Sequence, residues 1–250
     1  MPIQVGKALT DVDLGIQGDD TGDNISFKNG SYCELTGIYW AWKNLDDADY
    51  VGLCHYRRYF DFHHKSPAFD GSLVTPEDKM GGFDYSLPPL DDIFGEYDVI
   101  LHRPKTFPCT VFTDYARKHS GIDLKKVLDL LVEMYPDCAA DVGKFFYRNN
   151  RYSPCNMFIM RKKELDAYCS WLFPLLERAE ELVDTGSYDS MQKRIWGFVG
   201  ERLLPFYVYH NRMKAKYFPV CFMGNYKDAG ILRRLKNYLG IRISFLTNHC

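Results

Sequence analysis

The run Tyr50-Val51-Gly52-Leu53-Cys54 is the feature that most constrains the fold. It is short, apolar and uncharged, the pattern of a buried strand. A helical stretch comes just before it. Ser31 and Glu34 stand at capping-box spacing, and Leu35, Ile38, Tyr39, Trp42 and Leu45 recur at the period of an amphipathic helix. His55-Tyr56-Arg57-Arg58 follows the strand at once. A helix feeding a buried strand is the unit of an α/β fold with a mostly parallel central sheet. In such sheets ligands bind beyond the carboxyl ends of the strands. The order of these segments therefore places a histidine and two arginines where a ligand is expected.

Adjacent arginines beside a buried strand need anionic partners, because an unpaired buried charge is expensive. A phosphate suits their forked donors, and the chain's own aspartates are the other choice. The pattern recurs in Tyr97-Asp98-Val99-Ile100-Leu101, which leads into His102 and Arg103 and stops at Pro104. A third apolar strand is expected over residues 155–160, with Asn156 at the ligand edge. Upstream, Asp19, Asp20, Asp23 and Asn24 crowd a loop with Gly18 and Gly22. Such a loop can orient sugar hydroxyls, take a hard cation or cap the arginines, although calcium-loop spacing is absent. Two D-x-D patterns, at 11–13 and 47–49, read as surface turns. The second precedes its strand, at the wrong end for a ligand.

Further helices are expected over 110–120, 122–135 and 163–183, with Pro174 kinking the last. Another starts at Asp189 or Ser190 and carries Arg194, Phe198, Glu201 and Arg202 about a turn apart. Residues 61–89 are loop-rich, and Phe83-Asp84-Tyr85 with two nearby prolines suggests a loop folded over a site. A last strand falls within 217–223. In 227–242, Ile231, Leu232, Leu235, Tyr238 and Leu239 share one helical side among five cations. That pattern fits a basic amphipathic helix that either lies on the inner face of a membrane or packs its apolar side on the main domain. The chain divides into a catalytic domain over 1–215 and an appendage over 216–250.

A net charge of −2 argues against a nucleic-acid binder. The eight cysteines form no C-x-x-C pair, so neither a disulfide framework nor a zinc knuckle is expected, and a reducing, cytoplasmic setting follows. Neither a membrane span nor a signal peptide is read. The dinucleotide, P-loop and nucleophile-elbow signatures are missing, which argues against dehydrogenase, kinase and α/β-hydrolase chemistry.

The motifs together resemble a family of bacterial capsular and exopolysaccharide biosynthesis proteins, long described as a domain of unknown function and grouped with glycosyltransferases. The resemblance is carried by PIQVGKAL at 2–9, GDNIS at 22–26, YCELTGIYWAWKNL at 32–45 and YVGLCHYRRYF at 50–60. It continues through YDVIL at 97–101, NMFIM at 156–160, YCSWLFPLL at 168–176 and RIWGFVGERLL at 194–204. It implies a variant of the GT-A, Rossmann-like nucleotide-sugar transferase fold. Members usually carry a strand and loop before the first of these matches, and the absence of that strand would leave an unpaired sheet edge.

The resemblance further implies transfer of a sugar from a nucleotide-diphosphate donor to a growing, lipid-linked glycan. Charge then builds on the leaving diphosphate, where fixed positive groups act most strongly. Arg57 and Arg58 are the candidates, with His55 and Tyr56 beside them and His102, Arg103 and Arg194 as further donors to the substrate. These cations would stand in for the usual divalent metal, Mg or Mn, and no residue is assigned as a metal ligand. Asp189 and Glu201 are the candidate bases for the acceptor hydroxyl, and Glu34 is a weaker one. Asp19, Asp20, Asp23, Asn24 and Asn156 are expected to hold sugar hydroxyls. Asp189 has a second reading as a helix N-cap. The alternatives are a nucleotide-sugar hydrolase and a non-catalytic scaffold of a polysaccharide assembly complex. The donor sugar is not legible.

Overall fold

A computed structural model describes residues 1–63, 72–75 and 83–223, with the backbone only at 72–75 and Met223. The strands are β1 (Ile3–Gln4), β2 (Gln17–Gly18), β3 (Tyr50–Leu53), β4 (Arg58–Phe60), β5 (Ser72–Thr75) and β6 (Val99–His102). They continue with β7 (Lys105–Thr106), β8 (Arg151–Tyr152), β9 (Phe158–Arg161), β10 (Ala215–Phe218) and β11 (Val220–Met223). The helices are α1 (Asn29–Tyr32), α2 (Leu35–Asn44), α3 (Leu90–Phe94) and α4 (Val111–Ala116). After them come α5 (Gly121–Met134), α6 (Ala139–Tyr147), α7 (Lys162–Glu180) and α8 (Ile195–His210).

The central sheet has the order β10-β6-β9-β3. β3, β6 and β10 share one direction and β9 runs against them, in register Leu53↔Phe158↔Leu101. The sheet is thus mostly parallel in strand direction, in a GT-A-like α/β fold. The inversion of β9 has a functional consequence. The amino end of β9 meets the carboxyl ends of β3, β6 and β10, so the residues leading into it reach the ligand edge.

Alternation of side chains sends Val51, Val99, Leu101, Phe158 and Met160 into the larger core, against α2 and α4–α8. Ile100 and Ile159 point the other way, onto Phe60, Phe94, Phe218 and Val220. A smaller sheet of order β4-β11-β5 supplies part of that second layer. β10 pairs with β6, and β11 with β4 and β5, so the boundary expected at 215 falls inside a strand of the main fold. The amphipathic segment 227–242 lies outside the described residues.

The single helix expected across 31–45 is broken. Cys33 takes φ 53°, ending α1, and α2 starts two residues later. No capping box forms: the Ser31 hydroxyl donates to the Lys28 carbonyl at 3.2 Å, and the Glu34 side chain caps nothing. Position 174 lies inside an α7 that continues through it. The last helix starts at Ile195, later than expected, after a 3-10 turn at Gln192–Arg194, and runs past Pro205 to His210. α3 and α6 were not legible in the sequence; α3 spans barely more than one turn. Among the described residues no helix is long and apolar enough to cross a membrane.

Candidate active site

β3 delivers His55–Arg58 to the carboxyl edge as a tight hairpin. The His55 N–H donates to the Arg58 carbonyl at 3.2 Å and the Arg58 N–H returns to the His55 carbonyl at 3.0 Å. Tyr56 and Arg57 form the exposed tip, with Tyr56 79% accessible and the Arg57 guanidinium 5.2 Å from its ring. The Arg58 guanidinium lies 5.4 Å from the Phe222 ring. Among the described residues neither arginine makes an ion pair with a carboxylate. The internal aspartate partners foreseen as one outcome for these charges are therefore not found there.

His55 joins the hairpin to the entry of β9. Its Nε2 lies 2.6 Å from the Cys155 carbonyl. A carbonyl only accepts, so Nε2 carries the proton. Cys155 and Asn156 adopt φ 82° and 49°, and Cys33 is the third residue of this kind at the site. Left-handed backbone at a non-glycine costs about 1–3 kcal/mol per residue and persists only where surroundings enforce it. Here the result is a link between strand and helix: the Asn156 amide donates to Glu34 Oε1 at 2.8 Å and to the Gly197 carbonyl at 3.5 Å. Asn156 Oδ1 is buried and accepts no hydrogen bond from the protein.

α8 closes the floor. A Cβ on Gly197 would come within 2.9 Å of Cys33 Sγ, and one on Gly200 within 3.0 Å of Leu35. Glycine inside a helix is destabilising relative to alanine, and here it permits the close approach of α8 to the α1–α2 break. Glu201, next to Gly200, has 24% of its side chain accessible. Burial pushes its carboxyl above the ordinary glutamate value of 4.5; Arg202 opposes, Glu34 adds to the rise, and Arg58 and His55 oppose. The same charges act on the Cys155 thiol. Burial raises it to about 11, Glu201 and Glu34 add, and Arg58 and Lys105 oppose. Glu34, His55, Arg58, Lys105, Asn156 and Glu201 thus share one locality at the sheet edge. Arg194 reaches it from the 3-10 turn, its Nε donating to Cys33 Sγ at 3.2 Å.

Beneath Glu201, Arg202 is 5% exposed and bridges Glu201 at 2.8 Å and Asp114 at 3.4 Å. Tyr115 and Tyr152 rings flank its guanidinium at 5.4 and 5.7 Å. This cation is structural, and it holds the Glu201 carboxylate in place.

Other expected site residues fall elsewhere. Asp19 is fully buried, and its oxygens accept from the Gly6 and Lys7 N–H groups and from Ser26 and Thr36 hydroxyls at 2.5–3.1 Å. Its carboxylate builds the loop. Asp20 and Asp23 are exposed; Asp23 accepts from Tyr39 and its backbone bonds Asn44, at the far end of α2. That end is about 15 Å from Glu34, at 1.5 Å per residue. Asn24 bonds back to the Asp20 and Gly22 carbonyls. Asp189 is exposed and accepts from the Gln192 N–H at 2.7 Å in the turn ahead of the 3-10 helix, whose N-cap is Met191. His102 is buried at the end of β6, and Arg103 is exposed beyond it. Cys33, Lys105, Cys155, Gly197 and Gly200 escaped the sequence reading. Only the Gly-x-x-Gly spacing within a helix offered a signal for any of them. Among the described residues no group of three His, Cys, Asp or Glu side chains is arranged to hold a metal.

A GT-A-like sheet with cations, an asparagine and two glutamates gathered at one edge defines the class, and the family follows from comparison. The chain belongs to the family described as a domain of unknown function, DUF4422, whose model matches residues 1–212. No curated protein matches it. It is similar to the apo structure of WbbM, a bifunctional glycosyltransferase, with a TM-score of 0.81 and 31% identity. The match covers 90% of this chain and 42% of WbbM, so this chain corresponds to less than half of that protein.

Proposed function

We propose that this chain is a glycosyltransferase, moving a sugar from a nucleotide-diphosphate donor to a growing glycan. The observation that carries the reading is the nearness of a partly buried, charge-perturbed Glu201 to the Arg58–His55 hairpin at one sheet edge. In the proposed reaction the acceptor hydroxyl oxygen attacks the anomeric carbon, whose bond to the diphosphate oxygen breaks. The hydroxyl proton passes to Glu201, whose carboxyl pKa is raised by burial above the ordinary glutamate value, which makes it a stronger general base. The electron pair leaves with the diphosphate, where Arg57, Arg58 and the His55 hairpin stabilise the growing charge. Glu34 holds a sugar hydroxyl, and the buried Asn156 positions its carboxylate through the 2.8 Å amide bond to Oε1.

Of the candidate bases, Glu201 is preferred over Asp189 because the Asp189 carboxylate is engaged by the Gln192 N–H in an exposed turn. The aspartate-rich loop at 19–24 supports the fold behind α2 in this reading. The resemblance to capsular and exopolysaccharide biosynthesis proteins makes a lipid-linked acceptor, at the cytoplasmic face of a membrane, the proposed context. The cation-rich sequence 227–242 is the proposed membrane contact.

The test is a panel of nucleotide-diphosphate sugars incubated with the full chain, with nucleoside diphosphate release followed with and without glycan acceptors. Release that rises with an acceptor and is lost in Glu201→Gln is expected. Wild-type protein that neither binds nor turns over any donor refutes the proposal.

A further inference from the structure

A second group of side chains adjoins the hairpin and is used neither by the fold nor by the chemistry above. Tyr59, in β4, meets the Tyr85 ring edge-on at 5.2 Å and 87°, and the Phe83 ring at 6.3 Å and 50°. Phe83 and Tyr85 meet at 4.9 Å and 72°. The Tyr59 hydroxyl donates to the Tyr56 carbonyl at 3.2 Å, which fixes the cluster to the turn that presents Arg57. Tyr85 is 53% exposed, and Leu87 beside it is also exposed. Polar groups border the rings. The Ser86 hydroxyl donates to Asp84 Oδ1 at 2.6 Å, and His63 Nε2 lies 2.9 Å from Ser86 Oγ and 3.5 Å from Asp84 Oδ2.

We propose that Tyr59, Phe83 and Tyr85 form an acceptor subsite that takes a neutral pyranose of the glycan. The inference rests on the glycosyl-transfer reading and adds the place and chemistry of the acceptor. An exposed apolar patch with a polar border marks a binding surface. A pyranose offers such a patch an apolar C–H face and a ring of hydroxyls. The aromatic faces meet the first, and Asp84, Ser86 and His63 meet the second. Two features favour this occupant over the nucleotide. The rings stand nearly perpendicular to one another and form a corner, which suits a puckered ring better than a flat base. The Asp84 and Ser86 oxygens beside them accept from hydroxyls, of which a pyranose offers several around its ring. Arg58 precedes Tyr59 in β4, and successive side chains of a strand point to opposite faces, so donor diphosphate and acceptor sugar approach the hairpin from different sides.

The test uses the full chain on an array of neutral oligosaccharides, with Tyr85→Ala and Tyr85→Phe beside wild type. UDP and GDP serve as separate probes by thermal shift. Tyr85→Ala is expected to weaken glycan binding by about tenfold, the loss of one ring contact, while Tyr85→Phe retains it. The nucleotide-induced shift should persist in both variants. Glycan binding unchanged in Tyr85→Ala, or no neutral glycan bound by wild type, overturns the subsite. Loss of the nucleotide shift with Tyr85→Ala also overturns it, by placing the rings on the donor side. Failure of wild type to release nucleotide from any donor would instead refute the glycosyl-transfer reading, so the two failures are distinguishable.

Discussion

Arg58→Ala should disable the reaction and spare the fold, and the structure sets both magnitudes. The backbone bonds of the 55–58 hairpin survive the change. The side chain's contact is with the Phe222 ring at 5.4 Å. A cation–aromatic contact near the surface is worth about 0.5–1 kcal/mol. For a chain of this size each kcal/mol moves Tm by about 2–4 °C, so Tm should fall by no more than about 4 °C. The lost charge-assisted bond to a phosphate is worth about 1.5–3 kcal/mol. That corresponds to a fall of about 10- to 150-fold in kcat/KM for the donor. Arg202→Met is the control. Its guanidinium is buried between Asp114 and Glu201, and breaking such a pair costs about 3–5 kcal/mol. Asp114 keeps Lys118 at 2.8 Å and the Tyr152 hydroxyl at 3.2 Å, which favours the lower end. A Tm loss of roughly 6–12 °C follows. The assay is a thermal melt of each variant beside nucleotide release at varied donor concentration. Arg58→Ala melting as low as Arg202→Met, or turning over donor like wild type, would show that Arg58 is a structural cation.

Glu201→Gln should lower transfer by about 10²- to 10⁴-fold, the usual worth of a general base. In wild type the acidic limb of the pH–rate profile should lie above 4.5, because burial raises the Glu201 carboxyl. Glu34 contributes to that rise, so Glu34→Gln lowers the Glu201 pKa and moves the limb to lower pH; a limb that stays in place would separate the two carboxylates. Asp189→Asn keeps the oxygen that accepts from the Gln192 N–H, so turnover should match wild type and stability should stay within about 0.5 kcal/mol. A selective loss of transfer in that variant would make Asp189 the base. Asp19→Ala strips the acceptor from four donors and should cost at least about 3 kcal/mol, read from the urea midpoint. A loss below about 1 kcal/mol would mean that this buried carboxylate does not hold the loop.

The sequence by itself determined what local pattern controls. The apolar runs at 50–54 and 97–101 became β3 and β6 because period and hydrophobicity specify a buried strand before any partner is chosen. Their order relative to His55 and Arg58 placed those cations at the carboxyl edge, since a strand's direction is that of the chain. Asn156 lies ahead of β9 and reaches the same edge only because β9 runs against its neighbours. Tertiary structure decided whatever depended on contacts distant in sequence. The direction of β9 is set by its pairing with β3 and β6, about 100 and 60 residues away, and no local signal encodes it. Glu34 looked like a capping residue because its spacing to Ser31 fits one. The Cys33 break, packed beside Gly197, turned its carboxylate toward Asn156 instead. Asp19 and Asp189 looked alike as acidic loop residues, yet one is sealed by four donors and the other accepts from a single turn N–H in solvent. Charge and spacing are local and can be read along the chain; burial and the identity of a partner belong to the folded whole.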